Sequence, residues 1–227
     1  MALLFFRNEA TPYLMFASRV DAGRNLGEHL KQEGVDCDLV LGLPRGGVVV
    51  AVEVAHVLHA PLDVLIVRKI GHPLHREFAV GALAEHDIVL LDERALGHNQ
   101  NIRAQLDEVI REEKQRLNEY QTRFHLDDHI NRAGKSIVLV DDGLATGSTT
   151  EAAVLSARKE GARKVVVAAP VASTNAVERL ERVAEEVRAL LVDPDFDAVG
   201  RYYHNFSQTT DEEVLDLLRA ESKRSEF

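Results

Sequence analysis

The residues best suited to chemistry follow one apolar run, in the segment SIVLVDDGLATGST (136–149). The apolar residues predict a buried strand, which two carboxylates, Asp141 and Asp142, follow directly. A loop of small and hydroxyl side chains comes next: Ala145, Thr146, Gly147, Ser148 and Thr149. Small side chains let backbone amides close around a phosphate, and the predicted helix after the loop adds N–H groups and partial positive charge. The segment therefore predicts a phosphate-binding loop.

The carboxylate pair beside this loop indicates which phosphate compound would bind. Paired carboxylates accept hydrogen bonds from the cis-hydroxyls of a sugar, so the segment predicts a ribose 5-phosphate site. The loop lacks the lysine of the GxxxxGK[ST] nucleotide loop, which favours a monophosphate. Two alternatives stay open. A carboxylate pair after a strand also holds Mg²⁺ in receiver-type domains, although there it ends the first strand, and Asp pairs also occur in helix caps and turns.

Two further segments carry groups that bind anions. In LGLPRGGVVVA (41–51), Arg45 offers a fork of donors, and Gly46 and Gly47 let backbone amides approach an anion closely. In VRKIG (67–71), Arg68 and Lys69 end a predicted strand. The alternatives are a plain strand-to-helix turn and a surface cation pair. A shared role is favoured because the ends of adjacent parallel strands converge.

The segment HPLHRE (72–77) brings His72, His75 and Glu77 together. The short spacing suits a metal site, but no predicted helix aligns these side chains and no further set of ligands follows. A mobile active-site loop over 72–86, with His75 and Glu77 contacting substrate, is favoured instead. Other polar residues are predicted to lie on a surface turn: His125, Asp128 and His129.

The order of predicted elements determines how these residues are placed. Apolar runs alternate with helical patterns, which predicts an α/β fold with a doubly wound, mainly parallel five-stranded sheet and helices on both faces. The predicted strands are 37–43, 62–68, 136–141, 164–169 and 187–192. The predicted helices are 20–33, 46–59, 147–160 and 174–186. Residues 71–135 interrupt this alternation as an insertion with a flexible loop, a short antiparallel excursion and a long helix over 99–124, whose charged face is expected to be solvated.

Composition excludes several function classes. The chain has 227 residues, which predicts a single domain over 1–227, and its net charge of −10 disfavours nucleic acid as a partner. Cys37 is the only cysteine, so no disulfide can form within the chain. Neither a membrane-spanning apolar run nor a positively charged leader is found, which predicts a cytoplasmic protein without a membrane partner.

The segment VLVDDGLATGST resembles the phosphoribosyl-pyrophosphate signature of type I phosphoribosyltransferases. The resemblance implies that the ligand is 5-phosphoribosyl-1-pyrophosphate and that residues 44–47 and Lys69 bind its pyrophosphate. It also implies a non-proline cis peptide in that loop, for which Arg45–Gly46 is the candidate. Finally, it implies Mg²⁺ held through the ligand, with Asp141 and Asp142 as the protein groups nearest to it.

Four motifs resemble a subgroup of phosphoribosyltransferase-like proteins associated with erythromycin esterase or dienelactone hydrolase domains. They are PRGG (44–47), VRKIG (67–71), EFAVGA (77–82) and VGRYYHNFSQ (199–208). Residues of about 195–218 are expected to form a small C-terminal hood. There Tyr202, Tyr203 and Phe206, with Glu77 from the loop, would cover the acceptor. A packed C-terminal core is the alternative for the aromatic residues.

The resemblance implies an enzyme of nucleotide metabolism, a glycosyltransferase that moves ribose 5-phosphate to a nitrogenous acceptor and releases pyrophosphate. The sequence does not identify the acceptor. A non-catalytic sensor that binds the same ligand is the alternative, because fold and ligand loop alone do not separate the two. Lys69, Glu77 and the C-terminal aromatic residues favour the enzyme, and ester hydrolysis is disfavoured because no GxSxG motif occurs. A homodimer is also expected.

Overall fold

The computed structural model describes residues 15–96, 100–125 and 130–225; the predicted turn residues Asp128 and His129 lie outside them. The helices are α1 (Arg19–Gln32), α2 (Gly46–Leu58), α3 (Glu93–Leu96), α4 (Gln100–Phe124), α5 (Ser148–Lys159), α6 (Thr174–Leu180) and α7 (Asp211–Ser225). The strands are β1 (Leu39–Gly42), β2 (Leu62–Val64), β3 (Val67–His72), β4 (His75–Ala84), β5 (Ile88–Leu91), β6 (Ser136–Val140), β7 (Lys164–Ser173) and β8 (Glu186–Asp193). A 3-10 helix covers Val199–Tyr202.

The central sheet has five strands in the order β2-β1-β6-β7-β8, and every neighbouring pair is parallel. All residues of β1 and β6 are buried, as expected of strands covered on both faces. Because side chains alternate along a strand, Val40 faces α1 and α2, whereas Leu39 and Leu41 face α5 and α6. Each such buried side chain contributes roughly 1.5–3 kcal/mol. The predicted α/β fold is confirmed.

A second, antiparallel sheet in the order β3-β4-β5 forms the insertion. Helix α4 packs on it through Leu106, Val109 and Leu117, which contact a cluster that includes Ile70 and Val80. The long helix predicted over 99–124 is therefore confirmed to within one residue, and its apolar stripe faces the second sheet.

The predicted strand 62–68 is divided between the two sheets. Strand β2 ends at Val64 and β3 begins at Val67. Between them, Leu65 donates its N–H to the carbonyl of Gly42 at 3.2 Å, and Ile66 donates its N–H to Oε1 of Glu85 at 2.8 Å. The prediction was wrong because Leu65 and Ile66 are apolar and buried like Val64 before them, so no change in polarity marks the break.

The helix predicted over 174–186 ends early, at Leu180. Ala184 donates its N–H to the carbonyl of Leu180 at 2.9 Å, and Glu185 donates to the carbonyl of Val165 at 3.1 Å. The chain turns here because β8 must pair with β7. Val183 and Ala184 still pack on the core, so the helical spacing of apolar residues continues past the true end.

A buried ionic cluster joins the insertion to the central sheet. Arg132 lies 3.2 Å from Glu85 and 2.6 Å from Glu160, and His125 lies 2.9 Å from Glu85 and 3.5 Å from Asp63. The prediction that His125 lies on a surface turn was wrong, since its side chain is only 13% exposed. A lone polar residue next to a charged helix gives no sequence signal of such burial.

Candidate active site

The two carboxylates predicted to bind sugar hydroxyls lie at the carboxyl edge of the central sheet, directly after β6. Asp142 donates its N–H to Oδ1 of Asp141 at 2.8 Å, so the two residues are held in one tight turn. Burial, and then the neighbouring Asp142 carboxylate, raises the pKa of Asp141 well above its usual range, while Lys69 and Arg19 oppose the shift. Burial also raises the pKa of Asp142, against the opposing effect of Arg19.

The loop after the carboxylates is fixed at both ends. Leu144 pairs with Ala172 and donates its N–H to the carbonyl of Val171 at 2.9 Å. Oγ of Ser173 donates to the carbonyl of Ala145 at 2.6 Å, which ties the loop to the start of α6. These contacts hold the loop in place without occupying the amides of the helix that follows.

Helix α5 starts at Ser148, immediately after Gly147. Gly147 has φ +73°, a conformation that costs a residue with a Cβ roughly 1–2 kcal/mol. It gives the helix no side-chain cap, so the first-turn amides remain available to an anion. The hydroxyls of Thr146 and Ser148 lie 3.1 Å apart beside them.

The segment 44–47 packs directly against the carboxylate pair. A Cβ on Gly46 would overlap the Asp142 carboxylate, and one on Gly47 would lie 2.9 Å from Cα of Asp141. A non-proline cis peptide is present here, but it is Pro44–Arg45. The predicted position, Arg45–Gly46, was wrong by one bond because Gly46 already belongs to α2, so the change of chain direction falls before it.

One cavity of about 870 Å³ opens at this edge of the sheet. It is bounded by the ends of β1 and β6 on one side and by β3, β4 and α4 on the other. Most of the predicted site residues line it: Lys69, Glu77, Asp141, Asp142, Ala145, Thr146, Gly147 and Thr149. The predicted residues Arg45, Gly46, Gly47 and Ser148 are not on its wall. Nη1 of Arg45 instead lies 3.5 Å from Oδ1 of Asp211, at the start of α7.

Helix α4 contributes charged residues to the cavity wall, namely Glu112, Glu113 and Arg116. Glu113 accepts hydrogen bonds from Arg68 at 2.9 Å and from Arg116 at 2.6 Å. Glu112 accepts one from Arg76 at 2.9 Å. The prediction of a purely solvated face was wrong for these residues because α4 lies beside β3 and β4. The i,i+3 spacing of Glu113 and Arg116 is the same at a solvated surface and at a cavity.

Residues 72–86 were predicted as a loop, but β3 and β4 form a hairpin here. His72 pairs with His75 across a turn of two residues, and their rings stack with centroids 5.6 Å apart. Glu77 lies on β4 and lines the cavity. The loop prediction was wrong because Pro73 and Leu74 form a hairpin turn between β3, of six residues, and β4, of ten, whereas the predicted antiparallel excursion is present as the second sheet.

The aromatic residues of the C-terminal segment fall into two groups. Tyr202 is 3% exposed and donates its hydroxyl to Oδ2 of Asp193 at 2.8 Å. Tyr203 is 4% exposed and donates its hydroxyl to the backbone carbonyl of Asp142 at 2.6 Å. Both therefore belong to the packed-core alternative, and the C-terminal segment reaches the cavity through Val199. Phe206 is 37% exposed.

Arg19 is a site residue that sequence reasoning missed. Its Nε donates to Oδ2 of Asp142 at 2.7 Å, and its Nη1 donates to the carbonyl of Ser207 at 2.7 Å. The guanidinium lies 3.9 Å from the ring centroid of Phe206. Arg19 and Asp142 are 123 positions apart, so neither motif nor periodicity could have paired them.

Comparison with known proteins decides the family of this site. Residues 18–206 match the phosphoribosyl transferase domain. The chain belongs to the phosphoribosyl transferase family. The match includes the carboxylate pair, the loop after it and Arg19.

Relatives within the family agree with the fold. Proteins of two Mycobacterium tuberculosis strains, which carry the provisional name phosphoribosyl transferase, are 44% identical over 205 residues. The match covers 90% of this chain but 46% of each relative, so the chain spans about half the length of these proteins. A crystal structure of a Thermus thermophilus protein is 45% identical, with a TM-score of 0.75, and the match covers 90% of this chain and 97% of that one.

None of the helices in residues 15–96, 100–125 and 130–225 is long and apolar enough to cross a membrane. The same residues contain no group of three or more His, Cys, Asp or Glu side chains that could hold a metal ion.

Proposed function

We propose that this chain is a phosphoribosyltransferase that uses 5-phosphoribosyl-1-pyrophosphate and transfers ribose 5-phosphate to a nitrogenous acceptor. One observation carries the proposal. Asp141, Asp142 and Lys69 share the wall of one cavity at the carboxyl edge of the central sheet with four residues of the loop: Ala145, Thr146, Gly147 and Thr149. A phosphate loop, a pair of hydroxyl acceptors and a cation are the groups that this ligand needs.

The 5-phosphate binds at the loop 145–149 in this proposal. The first-turn amides of α5 have no side-chain cap, and the loop backbone is fixed by Ser173. Uncapped N–H groups at a helix N-terminus can bind an anion without first breaking other hydrogen bonds. The hydroxyls of Thr146 and Thr149 supply further donors.

The ribose hydroxyls donate to Asp141 and Asp142. Hydrogen-bond donors favour the ionised form of a carboxyl, so ligand binding lowers the pKa that burial has raised at Asp141. The two negative charges then lie beside the ribose, where they offset the positive charge that develops as the bond to pyrophosphate breaks.

In this proposal, Lys69 and the amides of Gly46 and Gly47 bind the pyrophosphate; Lys69 lies on the cavity wall, whereas the two glycines lie behind it. Arg45, whose side chain is 37% exposed, joins these groups by releasing Asp211, which lies 3.5 Å away. In the reaction, the lone pair of the acceptor nitrogen forms a bond to C1 of the ribose. The bond from C1 to the pyrophosphate oxygen breaks, and its electron pair leaves with pyrophosphate.

Magnesium fits the residues present as an ion held mainly by the ligand. Mg²⁺ is commonly bound through one or two carboxylates together with substrate phosphates and water, and Asp141 and Asp142 are such a pair. When bound, the ion would neutralise charge on the departing pyrophosphate.

The acceptor side of the proposal is less specific. Glu77 on β4 lines the cavity and is the proposed acceptor contact, whereas Tyr202 and Tyr203 are not, since both are buried in the core. Membership of the subgroup associated with erythromycin esterase or dienelactone hydrolase domains rests on the four motifs quoted above. The single-domain organisation, the cytoplasmic location and the homodimer also stay predictions.

The experiment that tests the function is calorimetric titration of 5-phosphoribosyl-1-pyrophosphate into the chain, with and without Mg²⁺. Saturable binding that strengthens with Mg²⁺ is the expected result. Pyrophosphate release is then assayed with a panel of purine, pyrimidine and amide acceptors. Release with one acceptor establishes the transferase. Binding without release for every acceptor would support the sensor instead, and no binding at millimolar ligand would rule out both.

A further inference from the structure

We infer that Arg19 is a positioning residue for the Asp142 carboxylate, fixed in turn by the C-terminal segment Tyr203–Ser207. The inference rests on the proposed function, because it concerns how the two carboxylates that bind the ribose hydroxyls are aligned. We call this pair, Asp141 and Asp142, the hydroxyl clamp. The inference assigns a role in the site to two regions outside the phosphate-binding motif: the first turn of α1 and the chain before α7.

The contact between Arg19 and Asp142 is short, charged and shielded. Nε donates to Oδ2 at 2.7 Å, and the two side chains are 11% and 16% exposed. A charge-assisted hydrogen bond of this length restricts the rotation of the carboxylate about its side-chain bonds. With Oδ2 held by Arg19, Oδ1 of Asp142 is the oxygen left to accept from a ligand hydroxyl.

Arg19 is itself held on two further sides. Its Nη1 donates to the carbonyl of Ser207 at 2.7 Å, and its guanidinium lies 3.9 Å from the ring centroid of Phe206. A planar guanidinium binds a carboxylate, a carbonyl and an aromatic face at the same time, which a lysine ammonium does not do. The position of Arg19 is therefore set by contacts that do not involve the ligand.

The backbone of Asp142 is anchored by the same segment. Tyr203 donates its hydroxyl to the Asp142 carbonyl at 2.6 Å, and its ring contacts that of Phe206 with centroids 5.1 Å apart. Gly46 closes the arrangement, because a Cβ at that position would overlap the Asp142 carboxylate and approach Nε of Arg19 to 2.7 Å. Side chain and main chain of Asp142 are thus both fixed before any ligand binds.

This arrangement predicts which ligand atoms bind more weakly when Arg19 is replaced. A residue that aligns the carboxylate affects the hydroxyls it binds and not the distant 5-phosphate. The matching probes are ribose 5-phosphate and 2-deoxyribose 5-phosphate, which differ by one hydroxyl. Wild-type chain should bind the first more tightly, on the order of tenfold, because the second leaves a carboxylate oxygen without its donor.

The test measures the affinity of both sugar phosphates for wild type and for Arg19→Met, Arg19→Lys and Phe206→Leu. In Arg19→Met the preference for ribose 5-phosphate should be lost, while 2-deoxyribose 5-phosphate binds as in wild type. Arg19→Lys should recover only part of the preference because it keeps the charge and loses the fork. Phe206→Leu should reduce the preference without abolishing it.

Arg24→Met is the matched control, since Arg24 lies on the same helix and pairs with Glu53 at the surface, where its side chain is 66% exposed. It should leave both affinities unchanged. An Arg19→Met variant that keeps the preference, or that loses affinity for both sugars equally, would overturn the positioning role. Failure of wild type to bind either sugar phosphate or 5-phosphoribosyl-1-pyrophosphate would overturn the proposed function, and with it the role of Arg19.

Discussion

Nη1 of Arg132 lies 3.2 Å from Oε2 of Glu85, and neither side chain has any exposure to solvent. The pair joins the chain before β6 to the end of β4, and thus the central sheet to the insertion that forms one wall of the cavity. Arg132 also donates to the carbonyl of Val64 at 3.0 Å and to Glu160 at 2.6 Å. The contact therefore fixes the second sheet where the chain passes from β2 to β3.

Replacing Arg132 with Met should lower the free energy of unfolding by up to about 3–5 kcal/mol, because the buried Glu85 would lose one of its two charged partners and keep only His125. Urea denaturation measures this change. The double variant Arg132→Met with Glu85→Gln should recover part of the loss, since it also removes the buried charge that Arg132 no longer balances. An Arg132→Met variant within about 1 kcal/mol of wild type would show that the cluster does not support the fold.

Arg163→Met is the control for that experiment. Arg163 lies 3.1 Å from Asp36 and 3.3 Å from Asp38, but its side chain is 58% exposed. Water solvates these carboxylates when the arginine is removed, so the expected loss is below about 1 kcal/mol. The difference between the two variants shows whether the loss of stability depends on the burial of the ion pairs or only on their number.

His125 should make stability depend on pH in the alkaline range. Burial lowers its pKa, but the hydrogen bonds to Asp63 and Glu85 outweigh burial and raise the pKa to about 9. A histidine whose pKa is raised on folding contributes stability that is complete below its unfolded pKa of about 6.5 and is lost as the pH rises through 9. We expect wild type to lose about 3 kcal/mol from this group between pH 6 and pH 10.

The measurement is urea denaturation of wild type and His125→Gln at pH 6, 7.5, 9 and 10. The variant should be less stable than wild type at pH 6 and should converge with it at pH 10. Parallel pH profiles would show that His125 does not carry the charge in the folded state. Asp63 and Glu85 act in the opposite range: their pKa values are lowered despite burial, so their contribution is lost only as the pH falls below the usual carboxyl range.

The parts of this structure that follow a local rule could be predicted from sequence. The Val-rich runs at 136–141 and 164–169 and the stripe of Leu106, Val109 and Leu117 indicated their elements because burial repeats with the period of the strand or helix. The loop 145–149 could also be recognised from consecutive residues, since a run of small side chains between a predicted strand and a predicted helix is typical of a phosphate-binding turn. Contacts between distant segments were not predictable. Arg19 contacts Asp142 only when α1 packs beside the end of β6, and no spacing of residues in the sequence indicates this contact.

The boundary between the two sheets could not be predicted for a different reason. Leu65 and Ile66 are fully buried, and the chain changes its backbone partner from Gly42 to the side chain of Glu85 without a change in polarity. Apolar residues in a sequence indicate that a segment is buried, but they do not indicate to which sheet the segment belongs. For the same reason, the sequence left two interpretations of Tyr202 and Tyr203, a hood over the acceptor or a packed core. Their hydrogen bonds to Asp193 and Asp142 favour the core.

The two carboxylates should respond differently to substitution by Asn, although both variants should lose binding of 5-phosphoribosyl-1-pyrophosphate. Burial raises the pKa of Asp141, so ionisation of that group opposes folding, and Asp141→Asn should unfold at a higher temperature than wild type. Burial also raises the pKa of Asp142, but Arg19 opposes this shift, and Asp142→Asn removes the charged partner of Arg19; this variant should therefore be less stable than Asp141→Asn by about 1–3 kcal/mol. Calorimetry and thermal unfolding of both variants check this. Retained affinity in either variant would contradict its place in the hydroxyl clamp.

Gly147→Val tests the phosphate loop and has a matched control elsewhere in the chain. Gly147 has φ +73° and Gly34 has φ +67°, so valine should strain the backbone at both sites and lower stability by at least roughly 1–2 kcal/mol. A side chain at Gly34 meets nothing within 4 Å, whereas one at Gly147, the residue immediately before α5, meets Ala176 at 3.4 Å. Only Gly147→Val should therefore weaken binding of 5-phosphoribosyl-1-pyrophosphate, by about tenfold or more. Equal affinity in the two variants would mean that the phosphate does not bind at this loop, because strain alone is common to both.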